Sequence, residues 1–303
     1  MADYGPVKLR EKQIKALIDL YKRTALNIDK QILTATEGRQ IDLIRTMVRI
    51  NKELENLNVD AEKWFKRELP QYYNDGGNIA LQDLRKLGVE LEGRGATALN
   101  RDAIEALVND SVASYSSGVQ GLSRSARSIL SEAVKQQTTL AIAEGRLTNE
   151  TRKAISARVE QVLREGGLKA ITDRAGKEWT LDNYSEMLVR TKAVEARNQG
   201  LTNKMVQYGY DLVQVSNHNS DHQACKRWEG KILSLTGNTP GYPTLQEAKD
   251  AGLLHPRCEH AINVIDTELS KKTKAYDNPY NKLTPEEKAQ ADADFARRNS
   301  DTL

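Results

Sequence analysis

The residues best suited to chemistry in this chain sit together. All four histidines and both cysteines fall between Asn217 and Val264. They include two copies of one short pattern, His222-Gln-Ala-Cys225 and His255-Pro-Arg-Cys258. Two residues between a His and a Cys let both side chains turn toward one point. Two such pairs supply four soft or borderline donors, the tetrahedral number that zinc prefers. The expectation is a closed, structural zinc site held by His222, Cys225, His255 and Cys258. Other chemistries fit the same residues. Cys225 and Cys258 could form a disulfide, or stand as two buried thiols beside unrelated histidines. The metal could instead keep an open position for catalysis. His218 and His260 are spare donors, either able to replace a member of the quartet, and otherwise ordinary loop or strand-edge residues. The catalytic form lacks its usual companions, because the chain has no H-E-x-x-H and no H-x-E followed by P-C-x-x-C.

The elements that must position these residues follow a change of periodicity. Up to Gly209 the apolar spacing is helical. Beyond it, Tyr210, Leu212, Val213 and Val215 read as a strand, Lys231, Ile232, Leu233 and Leu235 as a second, and Ala261, Ile262, Val264 and Ile265 as a third. The residues between them, Thr236 to Pro243, read as a loop, and Thr244 to Ala251 as a short helix stopped by Gly252. Both His/Cys pairs then fall at adjacent ends of a small sheet. A metal there would fasten strands with little core of their own, and such a site contributes on the order of 10 kcal/mol of apparent binding energy to folding.

Several runs in this region carry a resemblance. They are Asp221 through Ser234 with Trp228-Glu229-Gly230-Lys231 at its centre, and His255-Pro-Arg-Cys-Glu-His260 about twenty residues on. Upstream come Met187-Leu-Val-Arg-Thr-Lys192 with Ala196, Asn198 and Gly200, and Ile171-Thr-Asp-Arg-Ala-Gly-Lys-Glu-Trp179. Together they resemble the C-terminal signature of the Mu F-like head-morphogenesis proteins of bacteriophages, within them the minor capsid protein 2 branch. The likeness covers about residues 171 to 266. It implies a virion protein made in the host cytoplasm and present in few copies. It also implies an association with the portal and capsid interior and a tie to genome packaging or DNA entry at ejection. Arg190, on the helix before the His/Cys region, suits a structural role, with its guanidinium bonded to backbone carbonyls or a carboxylate.

The rest of the chain reads as helix. Ile14, Leu17, Ile18, Tyr21, Ala25, Ile28 and Ile32 share one face of a helix over 7–37, with Lys and Arg opposite. Gly38 stops it, and Leu43, Met47, Ile50, Leu54 and Leu57 begin an antiparallel partner. Asp60 is expected to cap a third helix carrying Trp64, Phe65 and Leu69, which Pro70 kinks or ends. Tyr72-Tyr73 suits core or a partner contact. Asp75-Gly76-Gly77 and Glu92-Gly-Arg-Gly95 read as flexible breaks, and Gly118 and Gly121 as interruptions. Helices are expected over 123–144, 150–165 and 180–208. The fold class is thus mainly α, an irregular bundle of long antiparallel helices with a small C-terminal α+β zinc-knuckle-like module. The segments are a helical body (1–170), the Arg-Thr helix with the metal-clipped β module (171–266), and a polar tail (267–303) with a helix begun by Thr284-Pro-Glu-Glu.

Composition narrows the function. The 45 basic and 42 acidic residues leave only +3, weak electrostatics for a dedicated nucleic-acid binder. No apolar run approaches 18 residues, so no membrane span is expected. No phosphate-binding glycine loop occurs, which disfavours an ATP-driven motor. Every histidine belongs to the metal-like region, so no Ser-His-Asp arrangement is available. The reading is a non-enzymatic assembly component whose partners are the portal protein, the major capsid protein, or both. Packaged DNA is a further candidate partner, and the helix faces suit self-association equally. The rival is a zinc-dependent nuclease or toxin-like effector acting on nucleic acid, for which the residues after Asp266 are few.

Overall fold

The apolar stripe beginning at Ile14 closes into the first helix, α1 (Glu11–Glu37), where Ile14, Leu17, Ile18, Tyr21, Ile28 and Ile32 are all buried. The structure, a computed structural model, describes residues 9–38, 40–91, 98–144, 148–172, 178–217, 219–265, 284 and 286. After α1 come α2 (Leu43–Lys86), α3 (Ala98–Glu144), α4 (Asn149–Gly166), β1 (Lys169–Thr172), β2 (Glu178–Thr180) and α5 (Leu181–Gln207). The remainder alternates β3 (Leu212–Val215), α6 (Gln223–Lys226), β4 (Ile232–Ser234), α7 (Leu245–Asp250) and β5 (Ile262–Val264). The protein is mainly helical, as expected. By contact it divides into two compact units whose boundaries run through α2, α3 and α5 rather than between helices.

One unit comprises Glu11–Phe65 and Ser111–Glu186. Here α1 and α2 run antiparallel. The Trp64 indole N–H donates to the Gln13 carbonyl (3.0 Å), and toward the other end the Asn27 and Gln31 amides donate to Glu53. Asp42 starts α2 by accepting from the Arg45 N–H (2.8 Å). The α3 residues pack back along α2, with Gln137 accepting from the Ile41 N–H. Tyr21, Phe65 and Tyr115 form the aromatic centre, with Tyr21 and Tyr115 centroids 5.0 Å apart. Thr148 caps α4, and Gly167 ends it at φ 60°. β1 and β2 pair antiparallel as a hairpin that the sequence reading did not foresee; the turn residues 173–177 lie outside the described set.

Several expected breaks are continuous helix. The helix expected to start anew at Asp60 is the continuation of α2, which runs 44 residues through Pro70 and through Gly76-Gly77. α3 likewise runs 47 residues through Gly118 and Gly121. Gly76 and Gly118 serve close packing instead of turning the chain. A Cβ on Gly118 would lie 2.5 Å from the Tyr184 ring, whose hydroxyl donates to the Ser114 carbonyl. The expected break at 92–95 and all but Thr284 and Glu286 of the expected tail helix lie outside the described residues.

The other unit contains the described residues of 9–10, 66–110 and 187 onward. In it α2 and α5 cross at glycine on both sides. A Cβ on Gly76 would sit 1.8 Å from the Arg197 carbonyl oxygen, and one on Gly200 would sit 1.9 Å from that of Tyr73. Only hydrogen at both positions permits this approach. Tyr72 and Tyr73 are buried beside the crossing, and Asn203 donates to the Tyr73 hydroxyl (2.8 Å). The three expected strands form one antiparallel sheet in the order β4-β3-β5. Its residues Val213, Val215, Leu233, Ile262 and Val264 share one apolar cluster with Ala80, Leu84, Leu201 and Met205 of the helices, and with Cys225 and Cys258.

Candidate metal centre

Each His/Cys pair is shaped by one turn of backbone. His222 stands at the start of α6, and the Cys225 N–H donates to the His222 carbonyl (3.0 Å), which folds the first pair onto itself. The second pair repeats this, with the Cys258 N–H on the His255 carbonyl (2.9 Å). That turn carries two left-handed residues, Leu254 (φ 61°) and Arg257 (φ 65°). It is held by α5, because the Arg257 N–H donates to the Thr191 hydroxyl (3.1 Å), which donates in turn to the Met187 carbonyl (2.7 Å). Further along α5, the Asn198 amide donates to the His260 carbonyl and its oxygen accepts from the Ile262 N–H, which fixes the entry to β5. Thr191 and Asn198 therefore act as splints between the Arg-Thr helix and the second pair.

The Trp228-Glu-Gly-Lys231 run is the tight return from α6 to β4. Gly230 takes φ 72°, its N–H donates to the Val215 carbonyl, and the Val215 N–H donates to the Lys231 carbonyl. The Lys231 ammonium lies 4.9 Å from the Trp228 ring centroid, a cation–π contact. The turn aims Glu229 inward. Its carboxylate is 1% exposed, accepts from the Ser220 N–H (2.8 Å), and sits 3.1 Å from Nε2 of His260.

The sulfurs of Cys225 and Cys258 lie 3.6 Å apart and unbonded, both buried. A disulfide would need about 2.05 Å. Two thiolates on one tetrahedral zinc, each at about 2.3 Å, stand roughly 3.8 Å apart, so the spacing fits a shared ion. Cys225 is common to two groups whose donor atoms all lie within 4.8 Å of one another: His222, Cys225 and His255, and Cys225, Cys258 and His260. All four quartet residues are thus close, but they do not form one such group. The His222 and His255 rings stack, with centroids 3.8 Å apart and planes at 28°. His260, read from sequence as a spare donor or else an ordinary strand-edge residue, is buried with Nδ1 3.2 Å from the Cys258 sulfur. His218 lies outside the described residues. Arg190 is half-buried on α5.

The electrostatics favour ionisation on one side of the pair. A hydrogen bond from Cys225 lowers the Cys258 pKa, and the hydrogen bond and charge of His260 act the same way against the opposing effect of burial. The same hydrogen bond between the two sulfurs, then burial, pushes the Cys225 thiol up. Burial alone would lower the His260 pKa, but Cys258 and Glu229 outweigh it and raise the value. A thiolate beside an imidazole that is backed by a carboxylate is a donor set made for a cation. Sequence reasoning missed Glu229 as part of this centre. Its inward direction depends on the Gly230 turn, and the Trp-Glu-Gly-Lys motif was the only signal.

The chain is 23% identical over 163 residues to a structural protein of Lactococcus phage LL-H, which covers 51% of this chain and 42% of that protein. The chain therefore spans less than half the length of this curated relative. No solved structure matches it. The description "Phage minor capsid protein 2" matches residues 7–295, nearly the full length and well beyond the 171–266 that carried the resemblance, so the chain belongs to the phage minor capsid protein 2 family.

Proposed function

We propose that this protein is a minor structural component of a phage head, acting at the portal or inner capsid wall during head assembly, DNA packaging or ejection. The observation that carries this reading is family membership across residues 7–295, and the phage relative is likewise a structural protein. The physical form agrees with a building block. Long helices supply extended faces, and no helix among the described residues is long and apolar enough to cross a membrane. In this reading the Cys225/Cys258 cluster holds a structural zinc ion with the neighbouring histidines. The ion ties α6 to the segment entering β5 and so locks a three-stranded sheet too small to hold itself. When bound, zinc would supply a crosslink. Isolation of portal rings and heads from infected cells tests the location. Co-purification with portal rings supports the reading, and absence from purified heads and procapsids overturns it.

A further inference from the structure

We propose that His260 is itself a ligand of this centre, binding zinc through Nδ1 beside Cys225 and Cys258, and that Glu229 is the residue that positions it. The inference rests on the reading that the cluster binds zinc, and it goes further by assigning the atoms. The quartet drawn from the two His-x-x-Cys pairs gives up one of its two histidines to His260.

Three observations lead there. The first is the orientation of the His260 ring. Nδ1 faces the Cys258 sulfur at 3.2 Å, while Nε2 faces the Glu229 carboxylate at 3.1 Å. A ligating histidine characteristically presents one nitrogen to the metal and gives the N–H of the other to a carboxylate or carbonyl, which fixes its tautomer and raises its basicity. The second is the burial of Glu229 and His260, each 1% exposed. Burying a carboxylate is costly unless positive charge compensates it. A divalent ion held by the attached imidazole would do so, and the Ser220 N–H already holds the carboxylate in place.

The third is the stacking of His222 on His255. Each ring could lend one nitrogen to an ion near Cys225, but rings stacked at 3.8 Å leave little room for both on one tetrahedral ion. We therefore assign one ligand to the stack on an ion shared by Cys225, Cys258 and His260. That one nitrogen, with Cys225, Cys258 and His260, completes four. In His255 the Nδ1–Pro256 carbonyl contact (2.7 Å) leaves Nε2 as the available donor. Two thiolates balance the divalent charge, and two thiol protons leave for solvent as the ion enters.

The test uses the full chain with histidines labelled with nitrogen-15, titrated with zinc. We expect two histidines to show metal-bound nitrogen shifts, one of them His260, bound at Nδ1 with Nε2 protonated. Two variants add independent readouts. In His260→Cys loaded with cobalt(II), the tetrahedral ligand-field bands should persist while thiolate-to-metal charge transfer rises, because a third sulfur has joined. Glu229→Gln should weaken zinc binding about 10–100-fold against a competing chromogenic chelator. The metal-free variant should melt at or above the metal-free parent, because a buried charge is gone, whereas a merely structural role would lower the melt with and without metal. If zinc binds but the His260 nitrogens do not respond, and charge transfer in His260→Cys is unchanged, this assignment is overturned while the zinc reading stands. If the unaltered protein takes up no zinc, both fall.

Discussion

Asp211 and Cys225 show how single residues hold the sheet module from two sides. Asp211 accepts from the Ser234 hydroxyl (2.6 Å), from the Thr236 N–H and hydroxyl (2.7 and 2.6 Å), and from the Thr239 hydroxyl (2.6 Å). Burial alone would raise its pKa, but these donors outweigh it and hold the carboxyl well below the usual carboxylate range. The folded pKa is depressed, so this contribution is present in full above the ordinary value of 3.8. It is lost as pH falls below that value toward the folded one. Asp211→Asn, which cannot accept at both oxygens, should lose about 1 kcal/mol at neutral pH. Thermal melts of variant and parent should converge as the pH drops below the carboxylate range. An undiminished gap at acid pH would assign the effect to something other than charge. On the other side, Cys225→Ser or Cys258→Ser should weaken the cobalt–thiolate charge-transfer band, because one of its two sulfurs is gone, and lower the melting temperature reached with zinc. Each variant should then respond less to chelator.

Among the elements, the α2–α5 crossing makes the sharpest claim because it sets propensity against packing. Alanine is favoured over glycine in a helix by about 1 kcal/mol. Gly76→Ala and Gly200→Ala should nonetheless destabilise by about 1–3 kcal/mol or more, because their Cβ atoms would meet backbone carbonyls at 1.8 and 1.9 Å. Gly77→Ala, whose Cβ would meet the Gly200 carbonyl only at 3.6 Å, should be neutral or stabilising. Denaturant midpoints of the three variants give the signs directly. The same glycines mark the limit of what could be read beforehand. α1 and the strands β3 to β5 were legible because their apolar periods, 3.6 and 2, are local properties. Gly76-Gly77 read as a break because the helix that packs against it lies more than a hundred residues away in sequence. Asp60 read as a cap, but the apolar steps on either side of it keep one helical phase. The β1–β2 hairpin was missed because its residues, Lys169–Thr172 and Glu178–Thr180, are short and mixed in character. At the centre, the spacing of the two pairs brought the residues into view. The roles of His260 and Glu229 depend on burial and ring direction, which spacing does not encode.

At the scale of the whole molecule, the small sheet packs on residues of α2 and α5 within one unit, and the proposed ion secures it. The chain belongs to the phage minor capsid protein 2 family, and the Cys/His cluster supplies its most specific candidate chemistry. The rival reading as a zinc-dependent nuclease would make metal removal extinguish turnover. A structural centre would instead have metal removal lower stability. The most direct measurement is therefore the zinc content of the purified chain, taken together with its thermal melt before and after a strong chelator. The account predicts one zinc per chain and a fall of several degrees in the melting temperature on chelation, restored when zinc is returned. A chain free of metal as purified, unable to take up zinc, and melting identically with and without chelator would contradict it.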